Sequence, residues 1–203
     1  MPSTKKAVAA LCSLGGSDCS FQNFVHMVIS PVARELGEAW VDDRLSFADV
    51  TIGVARLQTA VQNFNATVPG HDSLKPFAGR VFMASLSDTQ HTLGASVAAR
   101  AFSDAGWDVV QLENPDLNEA ALSFLRFNQT DMIALGVGTT QRSDEAAQAV
   151  KRLREVAPSA QIYLAGPAVA AAPDLFADSD ADIIGWDVFD VAKSQARRSA
   201  DAA

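Results

Sequence analysis

The sequence predicts an α/β protein in two parts, a small helical unit followed by a doubly wound sheet of five parallel strands. Three observations predict it. Apolar residues recur at helical spacing through the first 65 residues; residues 66–78 carry two prolines and a glycine without periodicity; and from residue 79 short apolar runs alternate with amphipathic stretches.

Residues 1–19 are small, polar and glycine-containing, and read as a flexible N-terminal segment. The helical unit covers 20–65. After Ser20, the residues Phe21, Phe24, Val25, Val28, Ile29, Val32, Leu36 and Trp40 fall at helical spacings, so one apolar stripe is expected. Pro31 does not fit the interior of a continuous helix, which leaves a kink or a new helix start at that point. Ser46 followed by Asp49 reads as an N-cap, with Val50, Val54, Leu57, Val61 and Phe64 as the apolar stripe of the next helix. Residues 66–78 read as a linker.

Beyond the linker, RVFMASL predicts a buried strand, with a helix across about 92–105. WDVVQL predicts the second strand, with a helix over about 117–127, and DMIALGVG the third, followed by the helix DEAAQAVKRLREVA. QIYLAG predicts the fourth and ADIIGW a short fifth before a terminal helix. Near-continuous apolar strands that alternate with helices belong to a parallel sheet covered on both faces. Residues 79–203 are therefore expected to form one α/β domain of flavodoxin-like or Rossmann-like type.

Composition narrows the function. Hydrophobic residues make up 48% and charged residues 20%, enough apolar matter to fill a core. A net charge of −8 argues against a chain that grips nucleic acid directly, because phosphate contacts need clustered Lys and Arg. Any part in gene control is expected to run through another protein. Cys12 and Cys19 fit neither a disulfide framework nor a CxxC metal site, so a reducing compartment is the easier reading. The stretch MPSTKKAVAALCSLGG is too brief and broken for a signal peptide, and no run approaches the roughly 18 apolar residues of a membrane span. The expected location is cytoplasmic.

Open parallel sheets bind ligands beyond the carboxyl ends of their strands. Those ends carry SDTQHTLG, ENPD, GVGTTQRS, AGPAV and GWD. His91, the only histidine in the α/β part, reads either as a cap or incidental polar residue, or as an axial ligand for cobalt or iron. In the second case its other ring nitrogen needs an acceptor, and Asp88 and Thr89 are nearest in sequence. Zinc is a poor fit, since it takes three or four protein ligands while His26, His71 and the cysteines lie in other segments. A tetrapyrrole brings its own equatorial nitrogens and needs only one or two. Gly94, Gly136, Gly138 and Gly166 sit at successive strand ends and permit close approach of backbone to ligand, although each alone reads equally as a turn or a helix crossing.

Other chemistries lack their motifs. No GxGxxG follows the first strand, no phosphate-binding P-loop occurs and no GxSxG elbow appears. The strand ends GVGTT and AGP also omit the acidic pair and lysine of a receiver domain. Trp40 reads either as a core anchor or as an aromatic wall over a bound ring. Arg34, Glu35, Asp42, Asp43 and Arg44 read as a solvated face or a lock on the turn.

With these residues in place, the chain after about residue 20 resembles the cobalamin-binding modules of methionine synthase and of B12-dependent photoreceptor regulators, helical cap first and Rossmann-like domain second. In that family the lower-ligand histidine lies in a DxHxxG motif after the first strand. TQHTLG, Thr89 to Gly94, keeps HxxG and has Thr89 in place of the acid, with Asp88 one position earlier. Gly136-Val137-Gly138 matches the family's S-x-L element without its serine, and Ala165-Gly166 its GG element. The resemblance implies a ring-binding surface of Trp40, Thr89, Gln90, His91, Thr92, Leu93, Gly94, Gly136, Val137, Gly138, Thr139, Ala165, Gly166 and Pro167, with His91 on the metal.

The segment PVARELGEAWVDDRLSFADVTIGVARLQ, residues 31–58, resembles the cap of the AerR/PpaA group of photosynthesis regulators and of related sensor domains that hold heme in place of cobalamin. In adenosylcobalamin photoreceptors bearing this cap a tryptophan is followed by a Glu-His pair over the upper ligand; Trp40 matches the tryptophan, and Val50-Thr51 stand at the pair. The resemblance implies a non-enzymatic antirepressor that binds cobalamin, or alternatively heme, through His91 and acts on a partner transcription factor. It brings no DNA-binding segment of its own. A corrinoid carrier for methyl transfer and an adaptor that has lost the ring are the alternatives, and a homodimer is left open.

Overall fold

The computed structural model describes residues 20–67, 75–86, 92–112, 116–185 and 187–201. Its contacts divide the chain into two units, Met1–Leu74 and Lys75–Ala203. The N-terminal segment 1–19 and most of the expected linker lie outside the described residues.

In the first unit the chain is helical from residue 21 to residue 41. Helix α1 (Phe21–Phe24) is opened by Ser20, whose hydroxyl oxygen accepts the Asn23 N–H at 3.1 Å. A π-helical turn (Val25–Ile29) follows and leads into α2 (Ser30–Val41). The π turn answers the question raised by Pro31. The Ser30 N–H donates to the Val25 carbonyl, five residues back, and Pro31 then falls in the first turn of α2, directly after the π turn.

The residues that face inward differ from the expected stripe. Phe21, Phe24, Val25 and Ile29 are buried, but Val32 is 42% and Trp40 52% exposed, and Ala39 takes the buried position near the end of α2. The stripe expected to run through Trp40 thus does not reach it, and Trp40 is not a core anchor.

Helix α3 (Phe47–Thr67) begins with the expected cap, closed reciprocally. The Asp49 N–H donates to the Ser46 hydroxyl at 3.2 Å, while Asp49 Oδ2 accepts the Ser46 N–H at 3.1 Å and its O–H at 2.6 Å. The Ser46 hydroxyl and then its N–H hold the Asp49 carboxyl below the usual carboxylate range. Farther along, Leu57, Ala60, Val61 and Phe64 are buried, with the Phe64 ring 5.3 Å from Phe21 and 5.1 Å from Phe24. Gly53 allows α2 and α3 to close, since a Cβ there would lie 2.8 Å from Leu36 Cδ1. Arg44 locks the intervening turn through Glu35 at 3.2 Å and Asp42 at 3.5 Å, with Asp43 in the left-handed region at φ 55°.

The second unit is the expected doubly wound sheet. Its elements are β1 (Gly79–Ser85), α4 (Thr92–Asp104), β2 (Trp107–Val110), α5 (Glu119–Phe127), β3 (Met132–Gly136), α6 (Ser143–Val156), β4 (Gln161–Ala165), α7 (Pro167–Ala171), β5 (Ile183–Ile184) and α8 (Val188–Asp201). All strand pairs are parallel, in the order β2-β1-β3-β4-β5. On one face Phe82, Ala84, Ile133, Leu135, Ile162 and Leu164 pack against α5, α6, α7 and Phe176. On the other, Val81, Met83, Met132, Ala134 and Tyr163 pack against Phe102 of α4 and Ala192 of α8, with Trp107 beside them. Helix α7 and the 3₁₀ segments Thr140–Arg142 and Pro173–Ser179 were not expected; each is too short to show a period.

Candidate functional site

The strand order places the topological switch between β1 and β3, because the chain leaves β1 for an outer strand on one side and returns to pair on the other. The two connections also leave toward opposite faces. Helix α4, which follows β1, packs on the Tyr163 face, and α6, which follows β3, on the Leu135 face. In open parallel sheets such a switch point is where ligands bind.

Thr89, Gln90 and His91, and with them Asp88, lie outside the described residues, so the coordination expected of His91 is not fixed by geometry. The residues after them are placed in the first turn of α4: Thr92 starts it, Leu93 is half-buried and Gly94 is exposed, with nothing within 4 Å of where a Cβ would stand. A helix N-terminus carries partial positive charge, and α4 begins on the chain that leaves β1.

The two glycine elements are brought together. Gly136 pairs in register with Ala165, and the Val137 N–H donates to the Ala165 carbonyl at 2.8 Å. The Val137 carbonyl in turn accepts the Ala168 N–H at 3.2 Å, so the two main-chain groups of Val137 join the end of β3 to β4 and to α7. Gly166 makes this crossing possible. It has φ of 111°, and a Cβ would lie 2.6 Å from the Val137 oxygen. Gly138 is half-buried, Thr139 is exposed just ahead of the 3₁₀ turn, and Pro167 is exposed at the start of α7. Trp40 belongs to the helical unit, where with Arg34, Gly37, Glu38, Val41 and Asp42 it lines a shallow depression.

Three further residues complete the carboxyl edge, and the sequence reading did not single them out. Ser85 pairs with Gly136, Gly136 with Ala165, and Gly185 follows β5 two residues after Ile183, the partner of Tyr163. Ser85, Gly136, Ala165 and Gly185 therefore form one row of small, half-buried residues on one face. Directly below them in β4 is Tyr163, 1% exposed, whose ring passes 4.0 Å from where a Gly185 Cβ would stand. Its hydroxyl has no hydrogen-bond partner among the described residues. Burial pushes this phenol above its ordinary range, and the nearby charge of Asp187 adds to the effect. Asp187 itself caps α8, accepting the Phe189 N–H at 3.0 Å and the Asp190 N–H at 3.2 Å. The available signal for Tyr163 was one hydroxyl inside an otherwise apolar strand, QIYLAG.

Comparison with known proteins now bears on this edge. The family described as B12 binding domain matches residues 79–192. The chain is 27% identical over 161 residues, 79% of its length and 83% of the relative's, to an uncharacterized 20.5 kDa protein in the bchF-crtJ intergenic region of Rhodobacter capsulatus. Among solved structures, the monomethylamine corrinoid protein of Methanosarcina barkeri superposes with a TM-score of 0.70 at 15% identity, covering 96% of both chains. A cobalamin-binding protein of Desulfitobacterium hafniense DCB-2 does so with a TM-score of 0.52 at 14% identity, covering 97% of this chain and 96% of that one. At such identities these two likenesses speak for the fold, helical unit included. The family match spans more than half of the chain and the whole of its sheet: the protein belongs to the B12-binding domain family, whose cofactor is cobalamin.

Proposed function

We propose that this chain is a non-enzymatic cobalamin sensor that holds the corrinoid at the carboxyl ends of β1, β3 and β4, with His91 on the cobalt, and reports its state to a protein partner such as a transcriptional repressor. The observation that carries this reading is the 161-residue likeness to the bchF-crtJ intergenic protein. It covers more residues than the unit Lys75–Ala203 contains, so it takes in part of the helical unit as well as the B12-binding domain. The AerR/PpaA-like segment 31–58 belongs to that helical unit.

The residues at the edge fit a corrinoid. Gly136 and Ala165 present no bulk above the strands, no described atom lies within 4 Å of where a Gly94 Cβ would stand, and the buried Tyr163 phenol lacks a partner among the described residues. Cobalamin supplies, when bound, a cobalt centre with four equatorial nitrogens of its own and axial positions that respond to redox state, light or added ligands. One imidazole then suffices from the protein, and Thr89 or Asp88 is the neighbour in sequence that would orient it. Signalling requires that the bound and free forms favour different arrangements, which a partner protein then reads.

The test is an absorption titration of the purified chain with hydroxocobalamin, in darkness and under illumination, beside His91→Ala. We expect a spectrum that depends on His91 and a loss of affinity of about tenfold or more in the variant. An unchanged spectrum and affinity in His91→Ala would end the ligation claim. Retention of heme with rejection of hydroxocobalamin would reassign the ring. Methyl exchange with a methyltransferase would replace the sensor reading by that of a corrinoid carrier.

A further inference from the structure

Two glycines stand inside helices of the first unit among the described residues, and their surroundings differ. Gly53 of α3 makes room for Leu36, which a Cβ there would meet. Gly37, in the middle of α2, has nothing within 4 Å of where its Cβ would stand. Glycine in a helix interior weakens the helix relative to alanine. No contact described within the chain offsets that weakness, which points to something that approaches Gly37 from outside.

Gly37 lies on the outer side of α2. Leu36 and the buried Ala39 mark the side toward α3, and the opposite side carries Arg34, Gly37, Glu38, Trp40 and Val41 around one shallow depression. Trp40 and Val41 are exposed there, Val41 at 79%. Arg34 and Glu38 stand one helical turn apart, and neither has an ion-pair partner among the described residues, whereas Glu35 and Asp42 beside them are both held by Arg44. An aromatic ring, an aliphatic residue, a gap and two opposite charges thus share one open face.

That face is complementary to itself. When two copies of α2 cross antiparallel at Gly37, positions run away from the crossing in opposite directions. Arg34, three residues before it, then comes level with Trp40 of the other copy, three residues after it, and Glu38 of that copy is within reach of the same guanidinium. A two-fold axis repeats each contact. We propose that the face is covered by a second copy of this chain: the protein forms a two-fold dimer through α2, in which Gly37 lets the helices close and Arg34 of each copy sits between Trp40 and Glu38 of the other. One helix pair is smaller than a standard interface, so the dimer is weak and depends on concentration. It goes beyond the sensor reading and does not depend on it.

Sedimentation velocity of the ligand-free full chain, from about 1 μM to about 1 mM, reads the monomer–dimer equilibrium we expect. The Cβ introduced by Gly37→Leu meets nothing in its own chain, so this variant is expected to fold and to weaken dimerisation about tenfold or more by holding the helices apart. Arg34→Glu and Glu38→Arg each set like charges against one another across the axis, and each is expected to weaken it about tenfold. The double reversal, Arg34→Glu with Glu38→Arg, restores opposite charges and is expected to recover most of the native association. A native chain that stays monomeric, a dimer indifferent to Gly37→Leu, or a double reversal no better than either single change overturns the inference. So does a monomeric chain in which Gly37→Leu instead weakens hydroxocobalamin binding, which would give this face to the ring.

Discussion

The two faces of the sheet are buried by the same strands and yet are built differently. Toward α5 and α6 the strands present Phe82, Ala84, Ile133, Leu135, Ile162 and Leu164, all nearly inaccessible, and burial there runs to the carboxyl ends with Leu86 and Val137. Toward α4 and α8 the amino-terminal half is equally dry at Val81 and Met132, but it gives way to the aromatic layer of Phe102, Trp107 and Tyr163 and then to small residues at the edge. The first face does nothing but hold the sheet. The second holds it at one end and yields packing at the other, where the small residues Ser85, Gly136, Ala165 and Gly185 stand at the edge.

The comparison is broken most directly by truncating each face. Leu135→Ala removes a fully buried side chain from the dense face, and we expect a loss of about 2–5 kcal/mol in urea unfolding. A loss near the bottom of that range or below would show that this face is loosely packed after all. On the other face, Trp107 donates from its indole nitrogen to the Ala192 carbonyl at 3.0 Å and meets Phe102 edge-on at 5.8 Å. Trp107→Phe keeps a ring against Phe102 and removes the donor, for an expected loss of about 1 kcal/mol in the same measurement. A cost matching that of Leu135→Ala would mean the aromatic layer is as tightly determined as the aliphatic one.

Elements of this contrast differ in how far they can be read from sequence. Strand runs such as DMIALGVG and QIYLAG are legible because a strand covered on both sides needs apolar residues at every position, and β3 and β4 fall inside those runs. The Ser46–Asp49 cap is legible because its chemistry is local. Trp40 was misplaced in one of its two readings because helical spacing does not tell where, near the end of α2, the buried face stops; Ala39 is buried there and Trp40 is half exposed. The glycines of the candidate site were visible one by one, but their grouping comes from register. Gly136 meets Ala165, and Gly166 meets Val137, only once β3 and β4 are paired. Tyr163 was missed for the same reason, since its burial comes only from the strands and helices packed around it.

The smallest expected effect addresses that phenol without changing the fold. Burial first, and the Asp187 charge second, raise its pKa above the ordinary value of 10.0, so the folded chain favours the neutral form. Its contribution to stability against pH is therefore whole below pH 10.0 and is lost as the pH rises from there toward the folded value. With one tyrosine in the chain, phenolate absorbance reports this group alone. In urea it should ionise at its ordinary pH, whereas in the folded chain it should stay silent past that point until alkaline unfolding exposes it. Ionisation at the ordinary pH with the fold intact would mean the hydroxyl reaches water, and the contrast between the faces would fail where it matters. Asp187→Asn sharpens the point, because asparagine still caps α8 while the charge is gone. It is expected to bring the ionisation only part of the way back, since burial is the larger cause; a full return would make the shift one of charge, and the edge beside Tyr163 wetter than its residues imply.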